Sequence, residues 1–235
     1  MSLTITNENQ LSPLELYLTK ESSFSLSPTV YDAYTDAQEI DGNIDMGSRY
    51  GNFEETFVCI SKEGLTIAQK YILKLDIAEK LNDFRNGGWL YYQSHENKRK
   101  RAYLSSMVEY ENEPGWLKVT IPFTIEPYWE STIEKTANTS GTITNEGNKE
   151  TPFIVEVVGV SENPEIVVNG ETMKWTGILS SLDNLVINTD KMTVIRSDII
   201  NALKDYEGDF PTLPPGDSSI ILPENTVLKW RDRWL

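Results

Sequence analysis

Residues that carry most enzyme chemistry are scarce in this chain of 235 residues, which has one histidine and one cysteine. A Ser-His-Asp or Cys-His arrangement would have to use His95, because the chain offers no other histidine. His95 lies in a charged segment without a supporting partner nearby, so we interpret it as a surface histidine. Cys59 lies in the apolar run FVCI at 57–60, which is typical of a buried structural thiol.

Metal and cofactor motifs are also lacking in the sequence. One histidine and one cysteine cannot supply the four ligands of a zinc site built from nitrogen and sulfur. The chain has neither a glycine-rich phosphate loop nor a dinucleotide fingerprint. Its 36 aspartates and glutamates leave a glycosidase-type carboxylate pair open, but most carboxylates of an acidic protein are simply solvated. We therefore predict no catalytic residue, no cofactor-binding residue and no metal ligand.

Six tryptophans give a stronger sign of binding. In the second half of the chain, Trp175, Trp230 and Trp234 could offer flat faces to sugar rings. Packing in the core and at sheet edges is the interpretation we favour, because a tryptophan side chain buries a large apolar area. A carbohydrate-binding module that recognises cell-surface glycans is the alternative function. A cell-wall hydrolase is a third and weaker hypothesis, because no nucleophile or acid–base constellation is recognisable.

The charge of the chain argues against nucleic-acid and membrane partners. Its formal net charge is −15, so its surface should repel phosphates and anionic lipids. No run approaches the roughly 18 apolar residues of a membrane-spanning helix. The sequence KRKR at 98–101 is the one basic cluster. We favour a solvated hairpin tip there, and leave open a phosphate site or a contact with an acidic patch on a neighbouring subunit.

Any site must be positioned by the secondary-structure elements. The longest element that we predict is a helix at 66–86. Thr66 and Gln69 fit a capping box, and the sequence NGG at 86–88 ends the helix, because glycine adopts left-handed backbone angles without steric cost. Leu73 and Ile77 lie beside the main apolar stripe, so the buried face should be wide. The stripe itself has the three-and-four spacing of a buried helix face and comprises Ile67, Ala68, Tyr71, Ile72, Leu75, Ala78 and Leu81.

Most of the remaining chain has the pattern of strands and turns. Strict alternation of apolar and polar residues at 117–125 gives the clearest strand, and 53–60 and 103–110 are further strands. Breaker residues cluster at 40–51, where we predict a long hairpin or excursion from the sheet. The helix must cover the apolar face of this sheet, because no other long helix is predicted.

The second half of the chain has the pattern of an all-β domain. Asn169 and Gly170 predict a type I′ turn between two strands. Residues 130–148 are rich in Ser, Thr, Asn and Gly, which places a domain boundary in the first half of that stretch. We therefore predict domains at 1–132 and 133–235, the second being a sandwich or jelly roll of short strands.

Several segments occur in an order that matches a known family. In the first half, a glycine-rich approach around Tyr50 leads into a strand, the helix and the aromatic sequence WLYY at 89–92, and a later strand ends on EPYW at 126–129. The second half contains ITNEGN at 143–148, TP at 151–152, VVNG at 167–170, DFPTLPPG at 209–216 and the tryptophan-bounded ending at 230–234. Together these segments resemble the distal tail protein (Dit) family of long-tailed phages with non-contractile tails, over nearly the whole chain.

The resemblance implies an N-terminal β-sandwich with one long α-helix, followed by a C-terminal galectin-like β-sandwich. It also implies a structural role without enzymatic activity, as a hexameric ring that forms the hub of the tail tip, either single or as two stacked rings. The ring would join the tail tube protein to a tail-associated, tail-fibre or receptor-binding protein, and DNA would pass through its lumen. An acidic chain suits this role, because a channel that attracted phosphates would retard the genome.

The resemblance places the protein in the virion, at the phage tail tip, after synthesis in the host cytoplasm. A single cysteine and an N-terminus without a basic segment followed by an apolar core agree with that location. The length leaves no room for the inserted carbohydrate-binding module that some relatives carry, so host recognition should fall to other proteins. A galectin-like fold does not by itself imply sugar binding.

Segments 40–51 and 98–101 are our candidates for contacts between subunits, because a head-to-tail ring uses two different surfaces of each chain. Reversing the charges of the basic segment should weaken ring formation, since its contact with an acidic patch would be lost. Light scattering after gel filtration measures the native mass, and an unchanged oligomer would remove this assignment.

Overall fold

The computed structural model describes residues 3–6, 16–19, 21–22, 29–34, 44–92, 95–197 and 200–235. Its contacts divide the chain into two compact units, Met1–Trp129 and Glu130–Leu235. Strands dominate the described residues, which include one long helix, and this confirms the predicted mainly β fold. The domains 1–132 and 133–235 stay a prediction, because compactness does not show which segment folds independently. None of the helices in the described part of the chain is long and apolar enough to cross a membrane.

The first unit is built from strands and one α-helix. The helix α1 (Ile67–Asn82) is extended by a 3-10 turn at Asp83–Arg85. The strands are β1 (Leu3–Thr6), β2 (Leu16–Leu18), β3 (Thr29–Tyr34), β4 (Ile44–Tyr50), β5 (Phe53–Ser61), β6 (Gly88–Tyr92), β7 (Lys98–Leu104), β8 (Glu109–Glu113) and β9 (Trp116–Ser131).

A main sheet in the order β1-β6-β7-β9-β5-β2 forms one wall of the first unit, and β8 also pairs with β9. At its centre β5 and β9 are antiparallel, with Phe57 opposite Ile121. The predicted alternation along β9 is confirmed, because its inward side chains are fully buried, namely Leu117, Val119, Ile121, Phe123 and Ile125.

Pro122 lies in the middle of β9, where a residue without an N–H would normally interrupt the ladder. Its carbonyl accepts a hydrogen bond from the amide of Ser105 at 3.1 Å, so its nitrogen faces the same side of the strand. On that side β7 ends at Leu104 and β8 begins at Glu109, so the missing N–H coincides with a gap between strands. The continuous strand predicted at 103–110 is wrong, because residues 105–108 belong to neither strand.

Residues 44–50 of the predicted hairpin or excursion form the single strand β4, which pairs with β3 in a two-stranded sheet separate from the main sheet. The hairpin thus has its other strand at Thr29–Tyr34 and not within 40–51, so its predicted bounds are wrong. The antiparallel register of β3 and β4 shifts between Tyr31 and Ala33, which marks a bulge or irregularity. Residues 40–43 of the predicted excursion lie outside the described residues.

The helix begins as the sequence predicts, with Thr66 as its N-cap. The amide of Gln69 donates to Thr66 Oγ1 at 3.3 Å and the amide of Thr66 donates to Gln69 Oε1 at 2.9 Å, which completes the capping box. At the other end the 3-10 turn continues to Arg85. Gly87 then adopts a φ of +92°, so the predicted glycine stop is confirmed.

The face of α1 that meets the sheet is not the predicted one. Ile77 and Leu81 are buried in the core and Leu73 is partly buried against it. Lys70 is also buried, because its Nζ donates to the carbonyl of Glu113 while its aliphatic stem covers apolar surface. The predicted stripe is wrong except at Leu81. Its large members are exposed instead, and these are Ile67, Tyr71, Ile72 and Leu75.

The second unit is composed of short strands and one 3-10 turn at Leu203–Asp205. The strands are β10 (Lys135–Ala137), β11 (Gly141–Asn145), β12 (Phe153–Val158), β13 (Ser161–Glu162), β14 (Glu165–Val168), β15 (Glu171–Trp175), β16 (Ile178–Leu179), β17 (Asn184–Asn188), β18 (Thr193–Arg196), β19 (Ile200–Asn201), β20 (Tyr206–Glu207), β21 (Gly216–Ile221), β22 (Thr226–Trp230) and β23 (Arg233–Trp234).

Two sheets enclose the core of the second unit. One has the order β10-β22-β12-β17-β18-β19, and the other has the order β11-β21-β14-β15-β20. Val155 and Leu228 from the first sheet join Ile166 and Met173 from the second in one buried cluster. This arrangement confirms the predicted sandwich. Strand β22 lies between β10 and β12 in the first of these sheets.

The turn between β14 and β15 has the predicted type I′ character. Asn169 and Gly170 have φ values of +52° and +88°, and Val168 pairs with Glu171 across the turn. Local sequence was enough to predict this turn, because few residue types tolerate two successive positive φ angles.

Leu81→Ala and Leu75→Ala form a matched pair on the same helix, since Leu81 is 2% exposed and Leu75 is 53% exposed. Leu81→Ala should lower the free energy of unfolding of the first unit by about 3 kcal/mol, because it removes buried methyl groups and leaves a cavity. Leu75→Ala should change it by less than about 1 kcal/mol. Urea unfolding followed by circular dichroism at low protein concentration measures both values. Equal losses would contradict the assigned helix faces.

Candidate functional site

The side of α1 that faces away from the sheet is apolar and exposed. Ile67 is 88% exposed, Tyr71 63%, Ile72 56% and Leu75 53%. We call these four residues the helix ridge. With 3.6 residues per turn they cover about 140° of the helix circumference, opposite the residues that are buried against the sheet. The helix therefore has two apolar faces, and the sheet of its own unit covers one of them.

The helix ridge has the area of the largest apolar patch on a typical monomer. Fully open side chains of this size present about 150–200 Å² each, so the ridge presents roughly 450 Å² at its observed exposures. The largest contiguous apolar patch of a soluble monomer is about 300–600 Å² and is often an interaction site. The helix ridge is therefore the leading candidate for a functional surface in the first unit.

Beside the ridge is a groove with a volume of about 540 Å³, which we call the helix groove. One wall is the C-terminal half of α1, including Ala78 and Asn82, and the other wall is the connection from β7 to β8 with its flanks, including Leu104 and Met107. Met107 is 86% exposed at the rim. Its unbranched thioether side chain can adapt to different apolar surfaces.

The floor of the helix groove is anchored to the core of the first unit. Leu104, Val108 and Tyr110 line the groove and also pack against the buried cluster. Lys74 Nζ lies 5.5 Å from the centre of the Tyr110 ring, and burial raises the pKa of the Tyr110 hydroxyl. The groove thus has a fixed apolar floor and an adaptable rim.

The basic segment at 98–101 is not a solvated hairpin tip, so that interpretation is wrong. The segment lies in β7, where Arg101 is opposite Trp89 of β6. The guanidinium carbon of Arg99 lies 3.7 Å from the centre of a Trp89 ring, and that of Arg101 lies 5.0 Å from it. Arg99 is only 8% exposed. Cation–π contacts within the sheet therefore hold these two guanidinium groups.

Lys100 is also committed to contacts with aromatic rings. Its Nζ lies 4.6 Å from the Phe53 ring centre and 4.8 Å from that of Trp129. Burial lowers the pKa of Lys100, and the carboxylate of buried Glu55 offsets part of that change. His95 is exposed, as predicted, and stacks on Trp129 with ring centres 4.4 Å apart. A contact between segment 98–101 and another subunit stays a prediction.

Two of the three tryptophans considered as sugar platforms are in the core of the second unit. Trp175 is 3% exposed and Trp230 is 6% exposed. Gly177 approaches Trp175 so closely that an added Cβ would lie 2.3 Å from the ring. Trp234 is half-buried. The packing interpretation is confirmed for Trp175 and Trp230, and their role as platforms is wrong, because their faces are covered by the protein itself.

Cys59 is fully buried in β5, as predicted for a structural thiol. Burial raises the pKa of Cys59 to about 12, so the side chain is a neutral thiol at physiological pH. A thiol without thiolate character is neither a nucleophile nor a ready metal ligand. Within the described ranges, no group of three or more His, Cys, Asp or Glu side chains is arranged to hold a metal ion.

Asp183 has an environment that suits structure rather than proton transfer. Its carboxylate accepts hydrogen bonds of 2.8 Å from the guanidinium of Arg196, the amide of Ser180 and the hydroxyl of Ser197. Arg196 first, and then the serine donors, hold the pKa of this carboxyl well below its usual range. A carboxylate that stays ionised and fully hydrogen-bonded does not serve as a general acid.

Sequence periodicity assigned the ridge to the core and so missed it as a functional surface. A usable signal was present in the same helix. Leu73 and Ile77 form a second apolar set beside the stripe, and the combined apolar arc is wider than one sheet can cover. An excess of this kind indicates a second contact surface.

The fold of the whole chain is similar to those of solved phage proteins. The Dit (gp 19.1) protein of SPP1, a paradigm of the hub adsorption apparatus in phages that infect Gram-positive bacteria, aligns with a TM-score of 0.71 and 13% identity over 100% of both chains. A chain of the phage P2 baseplate in its activated conformation with Ca aligns with a TM-score of 0.59 and 10% identity, over 96% of this chain and 94% of that chain.

The same baseplate with Sr gives a TM-score of 0.57 and 10% identity, over 95% of this chain and 93% of that chain. No protein-family model and no curated protein sequence matches this chain. Identities this low establish similarity of fold. The fold expected from the resemblance to distal tail proteins is therefore confirmed.

Cys59 should react with Ellman's reagent far more slowly than an exposed thiol, because burial removes both access and thiolate. Leu182→Cys supplies the matched control, since position 182 is 95% exposed. The variant should show one rapidly labelled thiol when folded, and guanidinium should expose Cys59 in both proteins. Rapid labelling of the folded unmodified chain would contradict the structural role of Cys59.

Proposed function

We propose that this protein is a structural component of the tip of a long, non-contractile phage tail, where it forms a hub ring. The observation that carries the proposal is the similarity to SPP1 Dit, which extends over 100% of both chains with a TM-score of 0.71. A single β-sandwich would be weak support, because sandwiches serve many unrelated functions. Here the order of a helix-bearing β unit and a sandwich is matched as a whole, which favours a shared role.

In this proposal the chain assembles into a hexameric ring at the virion tail tip. One side of the ring contacts the tail tube protein, and the other contacts a tail-associated, tail-fibre or receptor-binding protein. The helix ridge supports assembly, because roughly 450 Å² of apolar surface in one helix is more than scattered surface residues usually provide. Covering the ridge would contribute roughly 10 kcal/mol per subunit before the costs of association are counted.

The acidic character of the chain supports a lumen for DNA. Each subunit carries a formal net charge of −15, and a ring multiplies that charge around its axis. The negative charge of the ring repels DNA phosphates, so the DNA that passes through the lumen does not bind to its wall. The basic side chains of Arg99, Lys100 and Arg101 lie on aromatic rings of their own unit, which limits their reach towards phosphates.

A role without catalysis agrees with the state of the reactive residues. Cys59 is a buried neutral thiol, His95 is stacked on Trp129, and Asp183 is committed to structural hydrogen bonds. The carbohydrate-binding alternative loses two of its three platforms, because Trp175 and Trp230 are buried. We therefore propose a structural protein that works without a cofactor.

The proposal predicts that the purified chain forms particles with a native mass of six or twelve times 26.7 kDa. Multi-angle light scattering after gel filtration measures the mass, and negative-stain images of the same peak should show rings with a central opening. The expected association follows from the apolar helix ridge, whose exposure to water is unfavourable. A chain that stays monomeric at every concentration tested would contradict the hub proposal, and binding to a glycan array would then favour the carbohydrate-binding alternative.

A further inference from the structure

We infer that the helix ridge of one subunit occupies the helix groove of the next, which makes α1 the head-to-tail joint of the ring. The inference rests on the proposed function and adds to it the identity of the two surfaces that meet. Its occupant is a second copy of this chain.

The two surfaces have complementary shapes. The ridge is convex, and Ile67 at the start of the helix is its most exposed member, at 88%. The groove has a volume of about 540 Å³, within the range of about 300–1,000 Å³ in which proteins seat ligands. It is therefore large enough to receive several apolar side chains. Both surfaces are apolar at their centres, so bringing them together removes two hydrophobic areas from water.

The ridge supplies more than half of the area that a standard interface buries on one partner. It presents roughly 450 Å², whereas a standard interface buries about 800 Å² per partner. The walls of the groove, including the 86%-exposed Met107, supply the facing surface on the other partner. Each subunit offers both a ridge and a groove, so every subunit of a ring would bury both surfaces.

Charge at the edges of the two surfaces is also complementary. Asp76 and Glu79 are exposed. They lie beside the ridge, because Asp76 follows Ile72 and Glu79 follows Leu75 by four residues. Arg85 is exposed and lines the end of the groove. When a ridge enters a groove, acidic side chains of one copy meet a basic side chain of the other. Apolar centres with opposite charges at the rim allow two copies of net charge −15 to associate despite their general repulsion.

The contact is heterologous, since the ridge and the groove are different surfaces of the same chain. A heterologous contact generates a ring when its rotation closes and an open filament when it does not. The ridge occupies mainly the N-terminal half of α1, and the groove its C-terminal half. Successive subunits would thus be offset along the helix.

Cross-linking between two single-cysteine surfaces tests the inference directly. Chains with Ile72→Cys on the ridge and chains with Met107→Cys at the groove, carrying tags of different length, are mixed and treated with a short bifunctional maleimide. We expect a covalent dimer that contains one chain of each kind. The product should be lost when Leu182→Cys replaces Met107→Cys, because Leu182 is 95% exposed but does not line the groove. Buried Cys59 contributes no background in the folded protein.

Other outcomes separate failure of the inference from failure of the proposed function. A ring of normal mass without the mixed cross-link would overturn the joint and leave the hub proposal standing. Efficient cross-linking of Ile72→Cys chains to each other would also overturn it, because the ridges would then meet symmetrically. A mixed cross-link in a particle with only the mass of a dimer would show a closed symmetric pair and overturn the head-to-tail arrangement. A native mass of one chain for the unmodified protein would contradict both proposals.

Discussion

One constraint governs the first unit: α1 is apolar on two sides, and a single sheet covers only one of them. The inner side closes the core, where Ile77 and Leu81 are buried against β9 and its neighbours. The outer side keeps Ile67 and Tyr71 in contact with water. Burial of apolar surface is the main favourable term in both folding and association, so the exposed side favours association as the inner side favours folding.

Contacts at both ends of α1 and on its inner side keep the outer side of the helix exposed. The capping box at Thr66 fixes where α1 begins, and Gly87 fixes where the chain turns away from it. Lys70 ties the inner side of the helix to the end of β8 through the carbonyl of Glu113. With both ends and one side fixed, the helix cannot rotate to bury its outer side without breaking these contacts. The ridge therefore remains exposed in the isolated chain.

Features with local causes could be predicted from the sequence, and features that depend on a distant partner could not. The β9 alternation and the Asn169-Gly170 turn follow from residues next to each other in the chain. The buried face of α1 depends on which side meets the sheet, and periodicity alone cannot choose between two apolar sides.

The basic segment shows the same limit. Four consecutive charges indicate a solvated tip, but Trp89 on β6 holds Arg99 and Arg101 against the sheet, and periodicity does not reveal which strand lies beside them. The helix ridge was missed for the same reason, since an exposed apolar surface has the residue types of a core. In the second unit, Trp175 and Trp230 are buried in the core of the sandwich, so the sugar-binding hypothesis loses most of its basis.

The most direct test of the central claim is to compare the native mass of Leu75→Glu with that of Leu182→Glu across a range of concentrations. Both leucines are exposed, at 53% and 95%, so neither change should unfold the chain. We expect Leu75→Glu to reduce the assembly to single subunits, because it places a charge within the apolar ridge, and Leu182→Glu to keep the unmodified mass. Full assembly of Leu75→Glu would contradict the claim that the outer side of α1 joins the subunits.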